Sequence, residues 1–285
     1  MSTLPLYQVD AFVDASSDRL FTGNPAAVCP VDEPLPDALM QAIAAENNLS
    51  ETAFFHRDGR DGDAFNLRWF TPTVEVELCG HATLASAFVL MTELEPSRTE
   101  VHFQTRSGRL SVRRRGDLFE LDLPLYPPAP LDDPARITTA IAEALGDAPA
   151  EILRARSYLA VFPSADAIQR LNPDMTALAR LDTSVCVTAA GGPASSPDVD
   201  FVCRYFAPGH GVPEDPVTGS AFCMLAPYWI PRLGRDRLRA RQLSRRGGEV
   251  VCHVQDHRTF VAGRAQLVLV GKFTTDLSRR DAARM

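Results

Sequence analysis

Lysine is nearly missing from this chain: among 29 basic residues, Lys272 is the one lysine. A pyridoxal-phosphate enzyme or a Schiff-base aldolase needs a lysine amine as covalent partner. Here it would have to come from Val270-Gly271-Lys272, which reads as the end of a strand, so that class is disfavoured. Paired cysteines are also missing. Cys29, Cys79, Cys186, Cys203, Cys223 and Cys252 are scattered with no C-x-x-C spacing, which signals neither a zinc knuckle nor a disulfide framework. No run approaches the roughly 18 apolar residues of a membrane span, and the first residues lack the basic and apolar regions of a signal peptide. Net positive charge is missing too. At −7 the chain is a poor partner for nucleic acid or an anionic membrane, both of which ask for a basic face. Nor is there a G-x-G-x-x-G, a Walker loop, an H-E-x-x-H or a G-x-S-x-G. These absences predict a soluble protein of a reducing cytoplasm with no cofactor.

What is present suits a globular enzyme. The 285 residues are 45% hydrophobic and 23% charged, enough for one large or two medium domains with a sizeable core. Val9–Val13 reads as a strand, Gly23-Asn24-Pro25 as a turn, and Ala26–Cys29 as an apolar run. Pro36 sits where the first turn of a helix tolerates it, and Leu39, Met40, Ile43 and Ala44 recur at helical spacing. That helix should stop at Asn47-Asn48, with a strand over Thr52–Phe55, leaving Glu51 on the junction. Phe65–Phe70 reads as a strand. The segment 80–91 then carries no charge at any face, the mark of a buried helix rather than an amphipathic one. Strands follow at 100–105, 109–114 and 118–123. The prolines at 124, 127, 128 and 130 make the best candidate linker.

The second half repeats the plan. Arg68-Trp-Phe-Thr-Pro72 is echoed by Arg204-Tyr-Phe-Ala-Pro208, and Gly80-His81-Ala82 by Gly219-Ser220-Ala221. A second charge-free helix is expected over 219–230. Two such halves suggest duplication and a site between them, with domains over 1–126 and 127–285 and the final residues free to return to the first.

The helix starts carry the first chemical signal. First-turn N–H groups have no partner within a helix, and the dipole adds partial positive charge. Glycine lets a ligand approach the backbone, so Gly80-His81 and Thr218-Gly219-Ser220 are candidate carboxylate or phosphate cradles; the plainer reading is a capped helix entry. Glu51 could be a solvated turn residue, but the apolar Ala53-Phe54-Phe55 that follows favours partial burial and acid/base use. His81 could be a core histidine and Cys79 a small buried hydrophobe. Cys79-x-His81 matches no particular metal spacing, and no metal is expected. Asp215 could simply shape a turn, and the arginines from 235 to 246 read as a solvated strand face.

Asn48-Leu49-Ser50-Glu51-Thr52, Leu78-Cys79-Gly80-His81-Ala82-Thr83 and Glu214-Asp215-Pro216-Val217-Thr218-Gly219-Ser220-Ala221 together resemble the PhzF-like family of phenazine-biosynthesis isomerases. So do Asp10-Ala11-Phe12, Gly23–Ala26 and Gln242–Gly248, in the family's order over nearly the whole chain. The resemblance implies an α+β protein of diaminopimelate-epimerase-like fold: two pseudo-symmetric domains, each a curved sheet wrapped around a central helix. It places the family's acid/base glutamate on Glu51 and its cleft residues on His81, Asp215 and Ser220. Family members are often dimers, so it allows a homodimer. The residues around Gly80-His81 differ from the phenazine enzyme's, so its own substrate is not implied. Related amino-acid epimerases use two thiols. Cys79 lies at the first thiol's place and Pro216 at the second's, which disfavours a two-thiol racemase. The expectation is a cofactor-independent isomerase. Glu51 moves a proton on a small carboxylated substrate, which is held at Gly80 and Gly219 with His81, Asp215 and Ser220. An epimerase using Glu51 and Cys79, or a non-catalytic small-acid binder, are the alternatives.

Overall fold

A computed structural model describes residues 2–59, 62–132, 134–192 and 198–275. The chain divides into two compact units, one of residues 1–13, 24–122 and 263–285, the other of 14–23 and 123–262.

The first unit runs β1 (Ser2–Ala11), β2 (Asn24–Pro30), α1 (Asp37–Asn47), β3 (Glu51–Arg57), β4 (Ala64–Phe70), β5 (Glu75–Val76), α2 (Gly80–Val89), β6 (Glu100–Thr105), β7 (Gly108–Arg115) and β8 (Leu118–Pro124). The chain's last described strand, Ala265–Thr275, returns to pair antiparallel with β1. From that strand the sheet continues β1, β2, β3, β4, β6, β7, β8. Its pairs are antiparallel except β2–β3 and β4–β6, the two steps that α1 and α2 bridge. Parallel neighbours need such a crossover. β5 folds back as a short antiparallel partner of β4.

α1 lays Met40, Ile43 and Ala44 on Cys29, Phe54 and Phe70 of the sheet. Each large side chain so buried contributes about 1.5–3 kcal/mol. Asp37 opens the helix, where the dipole favours a carboxylate, and Arg68 Nη1 donates to it at 2.7 Å. Asn48 stops it in the left-handed conformation (φ 49°), which asparagine tolerates better than most residues. The charge-free α2 is buried at every position but Phe88 and packs on β1, β2 and β3. It is shorter than the 80–91 expected, because a π turn over Leu90–Leu94 follows, closed by Glu95 N–H on the Leu90 carbonyl at 2.7 Å.

The second unit runs β9 (Ala129–Pro130), α3 (Pro134–Leu145), β10 (Glu151–Arg154), β11 (Tyr158–Val161), α4 (Ala165–Arg170), α5 (Met175–Leu178), β12 (Val185–Ala190), β13 (Phe201–Ala207), β14 (Val212–Asp215), α6 (Phe222–Leu233), β15 (Arg237–Gln242), β16 (Gly248–Gln255) and β17 (Arg258–Gly263). Its sheet order is β9, β10, β11, β12, β13, β15, β16, β17, with β14 folded back on β13. The parallel steps are β11–β12 and β13–β15, the same two places as in the first unit. Two units of one topology are what a duplicated sequence folds into.

The arginine echo has a physical basis. Arg68 of β4 grips Glu75 of β5 with two bonds of 2.8 and 2.7 Å and lies over the Phe70 ring. Arg204 of β13 grips Glu214 of β14 at 2.7 and 3.1 Å and lies over Phe206. A planar fork against a carboxylate is the strong form of ion pair, and here it closes the same hairpin twice.

Three expectations change. β1 begins at Ser2 and ends at Ala11, because Phe12 turns to φ 60°. Lys272 lies exposed within the final strand rather than at its end. The second buried helix is not 219–230: Gly219–Ala221 is a 3-10 turn, and α6 runs from Phe222 to Leu233 through Pro227 and Pro231. An internal proline costs a helix about 3 kcal/mol. Burial offsets it, with Trp229 stacked on Phe201 at 5.7 Å and its indole N–H on Thr188 Oγ1 at 2.9 Å. Gly234, left-handed at φ 62°, ends the helix.

Candidate active site

The first unit brings Glu51, Cys79 and His81 together. Glu51 is the first residue of β3, three past the left-handed Asn48, and pairs in register with Ala26 of β2. Cys79 is the extended N-cap of α2 (φ −140°). Its carbonyl accepts from Thr83 Oγ1 at 2.6 Å, and Ala82 N–H points at its sulfur. Gly80 and His81 are the first two residues of the helix, both buried.

His81 Nε2 lies 3.0 Å from Glu51 Oε2, with side chains 5% and 14% exposed. The two atoms face one another without the alignment of a full hydrogen bond, and each is buried with no other bond. Catalytic contacts are often loose until substrate arrives. The other ring nitrogen, Nδ1, lies 3.1 Å from Asn24 Nδ2 and 3.5 Å from Cys79 Sγ. Ser50 Oγ donates to Asn24 Oδ1 at 3.4 Å.

Burial pushes the Cys79 thiol up to about 11, and the Glu51 carboxylate adds to the shift. Burial is also the largest influence on His81, where it favours the neutral ring. The Cys79 sulfur and the Glu51 carboxylate pull the other way and set the net direction well above the usual histidine range. Cys79 exerts that pull only as a thiolate. Near neutrality it keeps its proton, so the carboxylate alone then favours the imidazolium.

Each of the three residues offers a ligand-type atom within 4.8 Å of the others. The set is already internally paired, however: a cation would have to displace the Cys79 proton and part His81 from Glu51. As it stands, the arrangement suits proton transfer. A carboxylate is ready to accept a proton, and an imidazole and the start of a helix stand beside it.

The second unit gathers Asp215, Gly219 and Ser220. Thr218 Oγ1 donates to Asp215 Oδ2 at 2.6 Å, and Gln242 Nε2 donates to the Asp215 carbonyl at 2.6 Å. Thr218 N–H donates to Gln242 Oε1 at 2.9 Å. Gly219 is buried and Ser220 exposed. The Gly219 cradle is therefore a single 3-10 turn rather than an α-helix start. Thr218 caps this turn in extended conformation (φ −105°), as Cys79 caps α2. Because Glu75 and Glu214 are equivalent grips, and Cys79 and Thr218 follow them at equal spacing, the repeat partner of Cys79 is Thr218. The assignment of that place to Pro216 is corrected. No thiol stands there either way.

From sequence, Asn24, Ser50 and Gln242 carry no assigned role, and Thr218 enters only as the first residue of the Thr218-Gly219-Ser220 cradle. All four lie within the motifs that carry the resemblance, but nothing in their spacing says that Asn24 reaches His81 or Gln242 reaches Asp215.

Comparison with known proteins bears on the family and the fold. The family model described as phenazine biosynthesis-like protein matches residues 9–271. A curated protein of Pseudomonas aeruginosa, described as an uncharacterised isomerase, is 50% identical over 269 residues, 94% of this chain and 98% of that one. The crystal structure of a PhzF-family protein from Enterococcus faecalis has a TM-score of 0.87 and 40% identity, covering 96% of this chain and all of that one. A probable proline racemase from Agrobacterium radiobacter, 12% identical with a TM-score of 0.62 over 98% of this chain and 95% of its own, shares the fold alone.

Proposed function

The chain belongs to the phenazine biosynthesis-like (PhzC-PhzF) family and is an isomerase of the diaminopimelate-epimerase-like fold, and we propose that it moves a proton on a small carboxylated substrate with Glu51 as its single general acid/base. The observation that carries this reading is the buried contact of Glu51 Oε2 and His81 Nε2 at 3.0 Å, beside a thiol whose pKa of about 11 leaves it protonated at neutral pH. Of the three clustered groups, the carboxylate is the one suited to take a proton.

In this reading Glu51 removes a proton from a carbon next to a carbon–carbon double bond of the carboxylated substrate. The freed electron pair delocalises into that π system. Glu51, now a carboxylic acid whose proton can exchange with water, delivers a proton to a different carbon, so a double bond shifts and nothing is oxidised or reduced. First-turn N–H groups at Gly80, with His81, hold the substrate carboxylate and stabilise the charge that grows as the proton leaves. A preorganised donor of this kind contributes roughly 2.7–4 kcal/mol. Asp215, Gly219 and Ser220 are proposed to bind substrate as well. No cofactor takes part.

One observation favours a second reading. The Cys79 sulfur lies in the same cluster, so Glu51 and Cys79 could serve as opposed bases of an epimerase. Incubating small unsaturated and amino carboxylic acids with enzyme in heavy water separates the readings. A shifted double bond with deuterium uptake supports the isomerase. Inversion at one carbon supports the epimerase. Binding without exchange in any acid tested would leave a binding protein.

A further inference from the structure

Asn24 sits behind the proposed acid/base pair and has no role in the mechanism so far. It is fully buried, opens β2, and faces Ala11 across the sheet. That register is fixed just beside a strained residue. Phe12 is fully buried at φ 60°, and a Cβ at Gly263 would stand 2.3 Å from its ring. A bulky residue keeps such a backbone only where its surroundings over-determine it. Asn24 is therefore held on a rigid support, not on a loop.

Its amide is placed between two partners. Ser50 Oγ bonds Oδ1, and Nδ2 faces His81 Nδ1 at 3.1 Å. An amide nitrogen can only donate, so the contact holds only when Nδ1 is bare. The second neighbour of Nδ1 is the Cys79 sulfur at 3.5 Å, and a thiol that keeps its proton is also a donor. At the other end of the ring, Nε2 faces the Glu51 carboxylate at 3.0 Å, which can only accept. The ring thus meets donors at Nδ1 and an acceptor at Nε2.

We propose that Asn24 is a positioning residue for the reaction: its Ser50-held amide fixes His81 as the neutral Nε2–H tautomer, with that N–H on the edge of the ring nearest Glu51. The consequence for the chemistry rests on the reading of Glu51 as acid/base. A carboxylate locked against a full imidazolium is an ion pair and a poorer base. One oriented by a neutral N–H keeps its charge and its capacity to take a substrate proton. Among the described residues, the charged or titratable groups that act on the ring are Glu51 and Cys79, and Asn24 offsets the pull of Glu51 toward the imidazolium.

The test is a long-range 1H–15N spectrum of 15N-histidine enzyme at neutral pH, with His81 assigned by the signals lost in His81→Gln. The proposal expects one protonated ring nitrogen, Nε2, and one bare, Nδ1. Asn24→Asp sets a carboxylate against Nδ1, so both nitrogens should become protonated while kcat falls roughly 10²-fold, the scale of a mispositioned catalytic group, with KM little changed. If Asn24→Asp does not fold, the wild-type spectrum decides alone. An imidazolium or an Nδ1–H tautomer in the wild type overturns the proposal, and so do unchanged His81 signals in a folded Asn24→Asp. The spectrum does not depend on what Glu51 does. Should Glu51→Gln keep full exchange while the tautomer stands, the acid/base reading fails and the assignment of Asn24 to His81 survives.

Discussion

Cys79 and Thr218 hold the same place in two copies of one topology, each the extended residue that caps the turn behind a conserved-geometry hairpin grip. A two-thiol racemase would need sulfur at both. Here one is a hydroxyl and the other a thiol held protonated by burial, which is why the reaction is assigned to a carboxylate.

The first prediction follows from that sulfur. Cys79→Ser should keep proton exchange within about tenfold of wild type, since general acid/base groups are worth roughly 10²–10⁴-fold and Cys79 is not one in this account. Steady-state exchange rates in heavy water check it. A loss in the full range would move the chemistry to an opposed-base epimerase.

Alkaline stability is the second. Burial raises Cys29 to about 12, Cys79 to about 11 and Cys223 to about 12, from an ordinary 9.0. Folded pKa values above unfolded ones mean stability that is intact below pH 9.0 and is lost as pH rises through the folded values. The thermal midpoint should therefore fall steadily between about pH 9 and 12, and more shallowly in Cys29→Ala or Cys223→Ala. A flat profile across that window would contradict the burial of these thiols.

Third, the two arginine forks should matter far more than surface pairs. Arg204 is 12% exposed and Glu214 20%, and Arg204 Nη1 also donates to the carbonyls of Ile168 and Leu171. Arg204→Ala should cost about 3 kcal/mol, the lower end for breaking a buried pair. Arg57→Ala, whose side chain is 56% exposed against Glu95, should cost about 0–1 kcal/mol. Urea unfolding of both variants measures the difference.

Fourth, Gly263→Ala should destabilise by about 1–3 kcal/mol, the usual cost of overpacking, because the new methyl would meet the buried Phe12 ring at 2.3 Å. Gly59→Ala, with nothing within 4 Å, is the matched control and should stay within about 0.5 kcal/mol. Equal midpoints for the two would remove the rigid support argued for Asn24.

Much of this was legible in the sequence because the signals were periodic or paired. The charge-free stretch after Gly80 could only be a buried helix, and Arg68 with Arg204 marked a repeated hairpin. Glu51 fell on its junction because Asn48 is a helix stop. What stayed hidden depends on three-dimensional closure. Phe12 has no local reason to be left-handed; the packing against Gly263 imposes it. Pro227 and Pro231 argue for a break that the burial of Trp229 overrides. The amide of Asn24 meets the ring of His81 only because β2 and α2 are neighbours in the fold.

The central claim is that one carboxylate moves the proton, and deuterium incorporation by Glu51→Gln beside wild type tests it most directly, with ligand affinity measured on the same samples. Glutamine keeps the shape and the hydrogen bonding but cannot act as the base. The account predicts exchange reduced roughly 10²–10⁴-fold, with binding of a carboxylate ligand retained because the helix start at Gly80 is untouched. Exchange at the wild-type rate in Glu51→Gln would contradict it and pass the role to Cys79 or His81.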